Sequence, residues 1–139
     1  MRTVKLSRHD LFAFDNRYSV YGANVVLNNQ APHGATTRAS RTLASNERGM
    51  LGGGYLLIMR ATAPSTAGLA SALLEIQGEA LLGSLIEVTT AVGASRYVAV
   101  PAGAVIPAGS TVRLITADGS SGGAYHYRLG YNIIVTNVV

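Results

Sequence analysis

The chain has no cysteine, few charges and no long apolar run. Without cysteine, neither a disulfide framework nor a thiolate metal site is available, so stability must come from packing and assembly. Charged residues make up only 13% of the 139 positions, about half the usual share, while 48% are hydrophobic. That balance excludes a disordered polyelectrolyte. It predicts a largely neutral surface, of the kind a protein covers with copies of itself or with a partner. The apolar stretch at 81–86 is far too short to cross a bilayer and is flanked by Glu75, Glu79 and Glu87. Near the start, Arg2 and Lys5 are followed by Phe12, Ala13 and Phe14, which sit between Asp10 and Asp15 instead of inside a long apolar run. No targeting signal is therefore expected, and the chain reads as soluble, made and used without export.

The charge that is present is unevenly placed. Residues 1–50 hold seven basic side chains (Arg2, Lys5, Arg8, Arg17, Arg38, Arg41, Arg48) against Asp10, Asp15 and Glu47, a net +4. Residues 51–139 balance Arg60, Arg96, Arg113 and Arg128 against Glu75, Glu79, Glu87 and Asp118. Ten of the eleven basic residues are arginine, whose planar fork suits fixed contacts with carboxylates or phosphates.

Texture divides the chain at about the same place. Between Gly22 and Gly54, Asn28, Asn29, Pro32, Gly34, Ser40, Ser45, Asn46 and Gly49 interrupt threonines and alanines with little sustained periodicity. This predicts a basic, loop-rich N-terminal arm over 1–50, which could contribute one to three strands from 3–6, 11–14 and 18–27. Gly52, Gly53 and Gly54 read as a hinge between that arm and a β-sandwich body at 51–139.

Within the body the strand signal is persistent. Tyr125, Tyr127, Leu129, Tyr131, Ile133 and Val135 take every second position, and His126, Arg128, Gly130, Asn132 and Thr136 lie between them. Alternation of this length specifies one long strand with a buried and a wetter face. The three tyrosines are expected in the core or in a contact between subunits. A shorter β-rich run spans 111–116, and the glycine-rich segment 117–123 is expected to join the two as a hairpin-like turn. Residues 97–100 and 55–63 are further strand candidates. At 69–90, Gly78, Gly83 and the β-branched Ile86, Val88, Thr89 and Thr90 favour two strands joined near Gly78, with a helix as the alternative. Pro-Ala-Gly occurs twice, at 101–103 and 107–109, and predicts two corners that carry the chain from one sheet to the other. The sum is an all-β antiparallel β-sandwich, with a jelly roll as the leading version.

Candidate chemistry is thin. Asp118, Ser120, Ser121 and His126 are close in sequence, but a catalytic triad needs three groups converging from a braced scaffold, and turn chemistry accounts for Asp118-Gly119-Ser120. His9, His33 and His126 lack the paired spacing of a metal site, and His33 reads as a loop tip. Gly49–Gly54 lacks the lysine and helix of a phosphate loop. Seven basic residues over fifty positions are sparse for a nucleic-acid arm. No catalytic residue, metal or cofactor is expected.

The Pro-Ala-Gly corners, the glycine-rich turn at 118–123 and the long closing strand resemble the small jelly-roll proteins that decorate bacteriophage heads, the cement or auxiliary capsid proteins. The resemblance covers about the last ninety residues. It implies homotrimers on the capsid exterior that bind the major capsid protein and stabilise the shell, made in the host cytoplasm. No nucleic acid or membrane partner is implied. Arg38, Arg41 and Arg48 are the residues expected to contact the capsid. A fibre or spike receptor-binding domain shares these features, as does a small jelly-roll coat subunit.

Overall fold

The computed structural model describes residues 18–62, 65, 68–80, 86–88 and 95–137. Ten strands occur among them: β1 (Tyr18–Gln30), β2 (His33–Thr42), β3 (Glu47–Thr62), β4 (Ala70–Ile76), β5 (Glu79–Ala80), β6 (Ile86–Val88), β7 (Ser95–Val100), β8 (Val105–Ile106), β9 (Thr111–Asp118) and β10 (Ala124–Asn137). No helix is present among the described residues.

The alternation read in the last strand organises the molecule. Tyr125, Tyr127, Leu129, Tyr131, Ile133 and Val135 are all buried on one side of β10. With Leu51, Leu56 and Ile58 of β3 they meet Ala70, Ala72 and Leu74 of β4 and Val112 and Leu114 of β9, which makes a two-layer core. β4, β9 and β10 keep their apolar residues at spacing two, as does β3 from Leu56 to Ile58, so each of these strands commits one face to the interior.

The first sheet runs β1-β10-β3-β7, with β8 extending β3, and the second runs β2-β9-β4-β5, with β6 also on β4. All pairings are antiparallel. The first strand pairs with the last, β2 with β9, β3 with β7 and β4 with β5 and β6. The chain is thus one long hairpin wound so that successive arms alternate between the two sheets. That is the jelly-roll arrangement.

Several local expectations hold. Within 69–90 the described residues form strands at Ala70–Ile76, Glu79–Ala80 and Ile86–Val88, and β4 turns into β5 through Gln77 (φ 58°) and Gly78 (φ 80°). Two successive positive φ angles are what a tight type I′ hairpin requires. The two Pro-Ala-Gly corners carry the chain from β7, through β8, across to β9 in the second sheet. Gly103 (φ 105°) lets its amide reach the carbonyl of Leu51 at 2.7 Å, and Gly109 (φ 74°) lets its amide reach that of Ala44 at 3.1 Å.

Three expectations are corrected. Residues 18–50 are not a separate loop-rich arm, because they supply β1, β2 and the start of β3, and the expected boundary after residue 50 falls inside β3. Their inward positions are filled by Tyr21, Ala23, Val25 and Leu27 of β1, which pack on the core at the ordinary strand spacing. The candidate strands at 3–6 and 11–14 lie outside the described residues. Gly52, Gly53 and Gly54 are not a hinge. They lie within β3, where the register against β10 slips between Asn132 and Ile133, a β-bulge. Gly53 holds φ 124°, which L side chains rarely adopt, and a side chain on Gly54 would strike the β10 backbone. Finally, 117–123 is not a hairpin turn. It crosses between sheets, because β9 pairs with β2 and β4 while β10 pairs with β1 and β3.

Candidate interaction surface

The side chains between the buried positions of the first sheet face away from the core, and cross-strand register sorts them into rows. One row is Val26–Arg128–Leu57–Tyr97. A second is Val20–Ile134–Met50–Val105. Between them runs Asn24–Gly130–Tyr55–Ala99. Five of the six large apolar side chains exposed among the described residues (Val20, Val26, Met59, Tyr97, Val105) sit on this one face, with Tyr97 at 63% and Val105 at 69% exposure. Isolated exposed apolar residues are ordinary, but a set gathered on one sheet face marks a contact surface.

The face also carries little charge. Tyr55 lies over Gly130, where no side chain could fit beneath its ring, and its hydroxyl reaches across β10 to donate to Asn24 Oδ1 of β1. None of the three rows carries a carboxylate. Arg128 turns back to donate to the carbonyl of Tyr127 at 3.0 Å, and His126 Nδ1 accepts from the Asn29 amide at 3.1 Å. The outer face of the second sheet differs. There Arg113 Nε donates to Glu75 Oε1 at 2.8 Å, and the hydroxyls of Thr42 and Thr111 bond across strands at 2.8 Å. Two cross-strand polar pairs therefore lie on that face.

Of the three arginines expected at a partner, only Arg48 is exposed on the surface, at one end of the first sheet beside Thr136. Arg38 lies at a bulge in β2 and turns inward, donating to Thr116 Oγ1 at 2.8 Å and approaching His33 Nε2 at 3.2 Å. Arg41 stacks 3.4 Å above the Tyr21 ring and closes the side of the sandwich between β1 and β2. Both are structural closures of an open edge. His33 is likewise no free loop tip: it begins β2, meets Thr116 Oγ1 at 2.9 Å and packs edge-on against Tyr127 at 5.9 Å. Tyr125, Tyr127 and Tyr131 belong to the core of this single chain.

Sequence reasoning overlooked Arg60, which is 1% exposed. Its guanidinium lies 3.5 Å above the Tyr125 ring and donates to Thr62 O (3.2 Å), Ala124 O (3.4 Å) and Ser120 Oγ (3.3 Å). Ser120 in turn gives both its amide (2.9 Å) and its hydroxyl (2.6 Å) to Asp118 Oδ1. A buried cation and a buried carboxylate are thereby linked through one serine, which offsets the desolvation of each. The signal was present, because Arg60 shares the inward parity of Leu56 and Ile58. Burial first, and the Asp118 carboxylate second, push the Tyr127 hydroxyl far above its ordinary value. Burial likewise raises Tyr125 and Tyr131. Asp118 and Ser120 are enclosed, while His126 lies on the outer face of the first sheet, so no Ser-His-Asp arrangement forms.

No family model and no curated protein matches the chain. Among solved structures it is similar to the VP2 subviral particle of infectious bursal disease virus, at 15% identity and a TM-score of 0.42, covering 88% of this chain and 33% of that one. T=1 particles derived from the same virus match at 13% identity and TM-score 0.42, over 88% and 32%. A sugar-binding protein, the EclA C-terminal domain, matches at 14% identity and TM-score 0.41, over 84% and 78%. The chain spans about a third of the length of the viral proteins. Its class is set by its own topology: an antiparallel jelly-roll sandwich.

Proposed function

We propose that the protein is a non-catalytic structural component of a virus particle, a homo-oligomer seated on the outer surface of a phage capsid, which it stabilises. The observation that carries this reading is the gathered apolar face of the first sheet, opposite a second sheet whose outer face carries polar cross-strand pairs. Such a face gains by being covered, and oligomeric attachment multiplies modest single contacts into firm retention. On this reading the capsid contact is made by Val26, Leu57 and Tyr97, with Arg48 at the margin, and Arg38 and Arg41 serve the fold. Synthesis is in the host cytoplasm, and the resemblance to decoration proteins supplies the trimer as the oligomer to test.

Cosedimentation with heads of the encoding phage tests the reading. The protein should pellet with heads, and Val26→Asp/Tyr97→Asp should weaken binding at least tenfold while remaining folded. Absence of binding by the unaltered protein would overturn the proposal, and closed particles formed by the chain alone would make it a coat subunit instead.

A second reading draws on a groove of about 430 Å³ lined by Glu75, Gln77, Ser110 and Arg113 at the end of the second sheet. The Ser110 hydroxyl is buried there without a partner among the described residues. A mixed set of donors and acceptors suits a polyhydroxyl ligand, as a receptor-binding fibre domain would need. Binding on a glycan array that Gln77→Ala abolishes would favour this alternative.

A further inference from the structure

We infer that the outer edge of β1 is a pairing edge for a second copy of this chain, the two β1 strands meeting antiparallel so that two first sheets become one. Among the described residues β1 pairs with β10 alone, so one row of backbone amides and carbonyls along a 13-residue strand has no strand partner. Open edges of that length are ordinarily blunted by charge, proline, bulges or shortness. The other edges of this sandwich show each device. β2 slips register twice, between His33 and Thr36 and between Thr37 and Ala39, and carries Arg38 and Arg41. β7 has six residues, contains Arg96 and runs into Pro101, and β5 has two residues. β1 has no charged residue and no proline, and its one bulge lies near its end, between Leu27 and Gln30. Among the described residues only Arg41, stacked on Tyr21, lies against its side, and no strand or bulge protects the rest of the edge.

The occupant follows from charge and parity. A strand without charge can lie against itself with no like-charge repulsion, which the arginine-bearing β2 could not do. In an antiparallel pair, opposed residues share a face, so the even-numbered outward residues of one copy must oppose even-numbered residues of the other. The register centred on Ala23 satisfies this. It sets Val20 of each copy opposite Val26 of the other on the outer face, and Tyr21 opposite Val25 on the core side. The two apolar faces then run on as a single surface across the two-fold axis.

This deepens the proposed function by naming a contact between copies, and it rests on that reading only in taking the assembled protein as the working form. Being two-fold, the contact makes dimers, or a trimer of such dimers, in place of a lone trimer. Because the chain contains no cysteine, a Val20→Cys/Val26→Cys variant reports on the contact without background. Within one strand the two positions are about 20 Å apart, beyond the reach of a disulfide, so any bridge must join two chains. Oxidation of the full-length variant at low micromolar concentration should give covalent dimers nearly completely, while Tyr97→Cys/Val105→Cys should give almost none. Sedimentation of the unaltered protein should show at least twice the monomer mass of 14.4 kDa. Val20→Lys/Val26→Lys, checked for folding by circular dichroism, should return it to monomer. A monomeric unaltered protein, or equal cross-linking of the two cysteine variants, would overturn the inference. Head binding that persists in such a case leaves the proposed function standing, and dimers that ignore heads sink that function alone.

Discussion

Replacing Gly54 by alanine would put a methyl group where β10 already stands. The new Cβ would lie well under 3 Å from the Gly130 carbonyl oxygen, and 3.2 Å from the Tyr131 Cα. Both neighbours are backbone of the central strand of the first sheet, so no side chain can rotate away. Relief requires β3 and β10 to separate at a point where both are bonded on either side. Overpacking of this kind costs up to about 3 kcal/mol, a large share of a stability on the order of 10 kcal/mol. For a chain of this length that is a fall in Tm of about 12 °C. Gly52→Ala is the control: that position is exposed, its nearest neighbours are Asn132 atoms at 3.5 Å, and the effect should stay within about 0.5 kcal/mol. Thermal unfolding followed at a β-sheet circular-dichroism band reads both. Equal melting of the two variants would refute the placement of Gly54 inside a closed strand pair and return the triplet to a hinge.

The other predictions concern the interior. The Tyr127 hydroxyl is buried without a partner among the described residues, so Tyr127→Phe should be neutral or stabilising by about 1 kcal/mol in urea titration. Because its folded-state value is raised above the ordinary 10.0, the stability it contributes is whole below pH 10 and is lost as pH climbs beyond. The urea midpoint should therefore fall above pH 10, and less steeply in Tyr127→Phe. Arg60→Leu removes the cation that offsets the buried Asp118 and should destabilise by about 3 kcal/mol. Arg60→Leu/Asp118→Leu should recover part of that loss, measured in the same titration. Leu74→Ala, at a fully buried position of β4, should lose about 3 kcal/mol.

Legibility in the sequence followed how much of a strand's pattern is carried by side chains alone. β10 was plain because six large apolar residues alternate without a break, and β4 with its Gln77-Gly78 turn was recoverable from glycine placement. β1 was partly legible, since Tyr21, Ala23, Val25 and Leu27 alternate, but Gly22, Asn24 and Asn28 between them look like loop residues when read singly. β2 could hardly be read at all: its inward positions are Thr36, Ala39 and two arginines, because an edge strand closes its open side with long polar side chains instead of filling a core. The glycine triplet misled for a related reason. Glycine marks both freedom and close approach, and only the neighbouring strand distinguishes them. The apolar outer face could not be found from one chain segment, since it is assembled by register from β1, β10, β3, β7 and β8.

The apolar outer face of the first sheet as the surface that meets the capsid is tested most directly by hydroxyl-radical footprinting of the protein free and bound to phage heads. Met59 and Tyr97 are exposed and readily oxidised, and binding should shield both while Leu73 and Ile115 on the opposite sheet react as before. Shielding confined to Leu73 and Ile115, with Met59 and Tyr97 unchanged, would contradict the account.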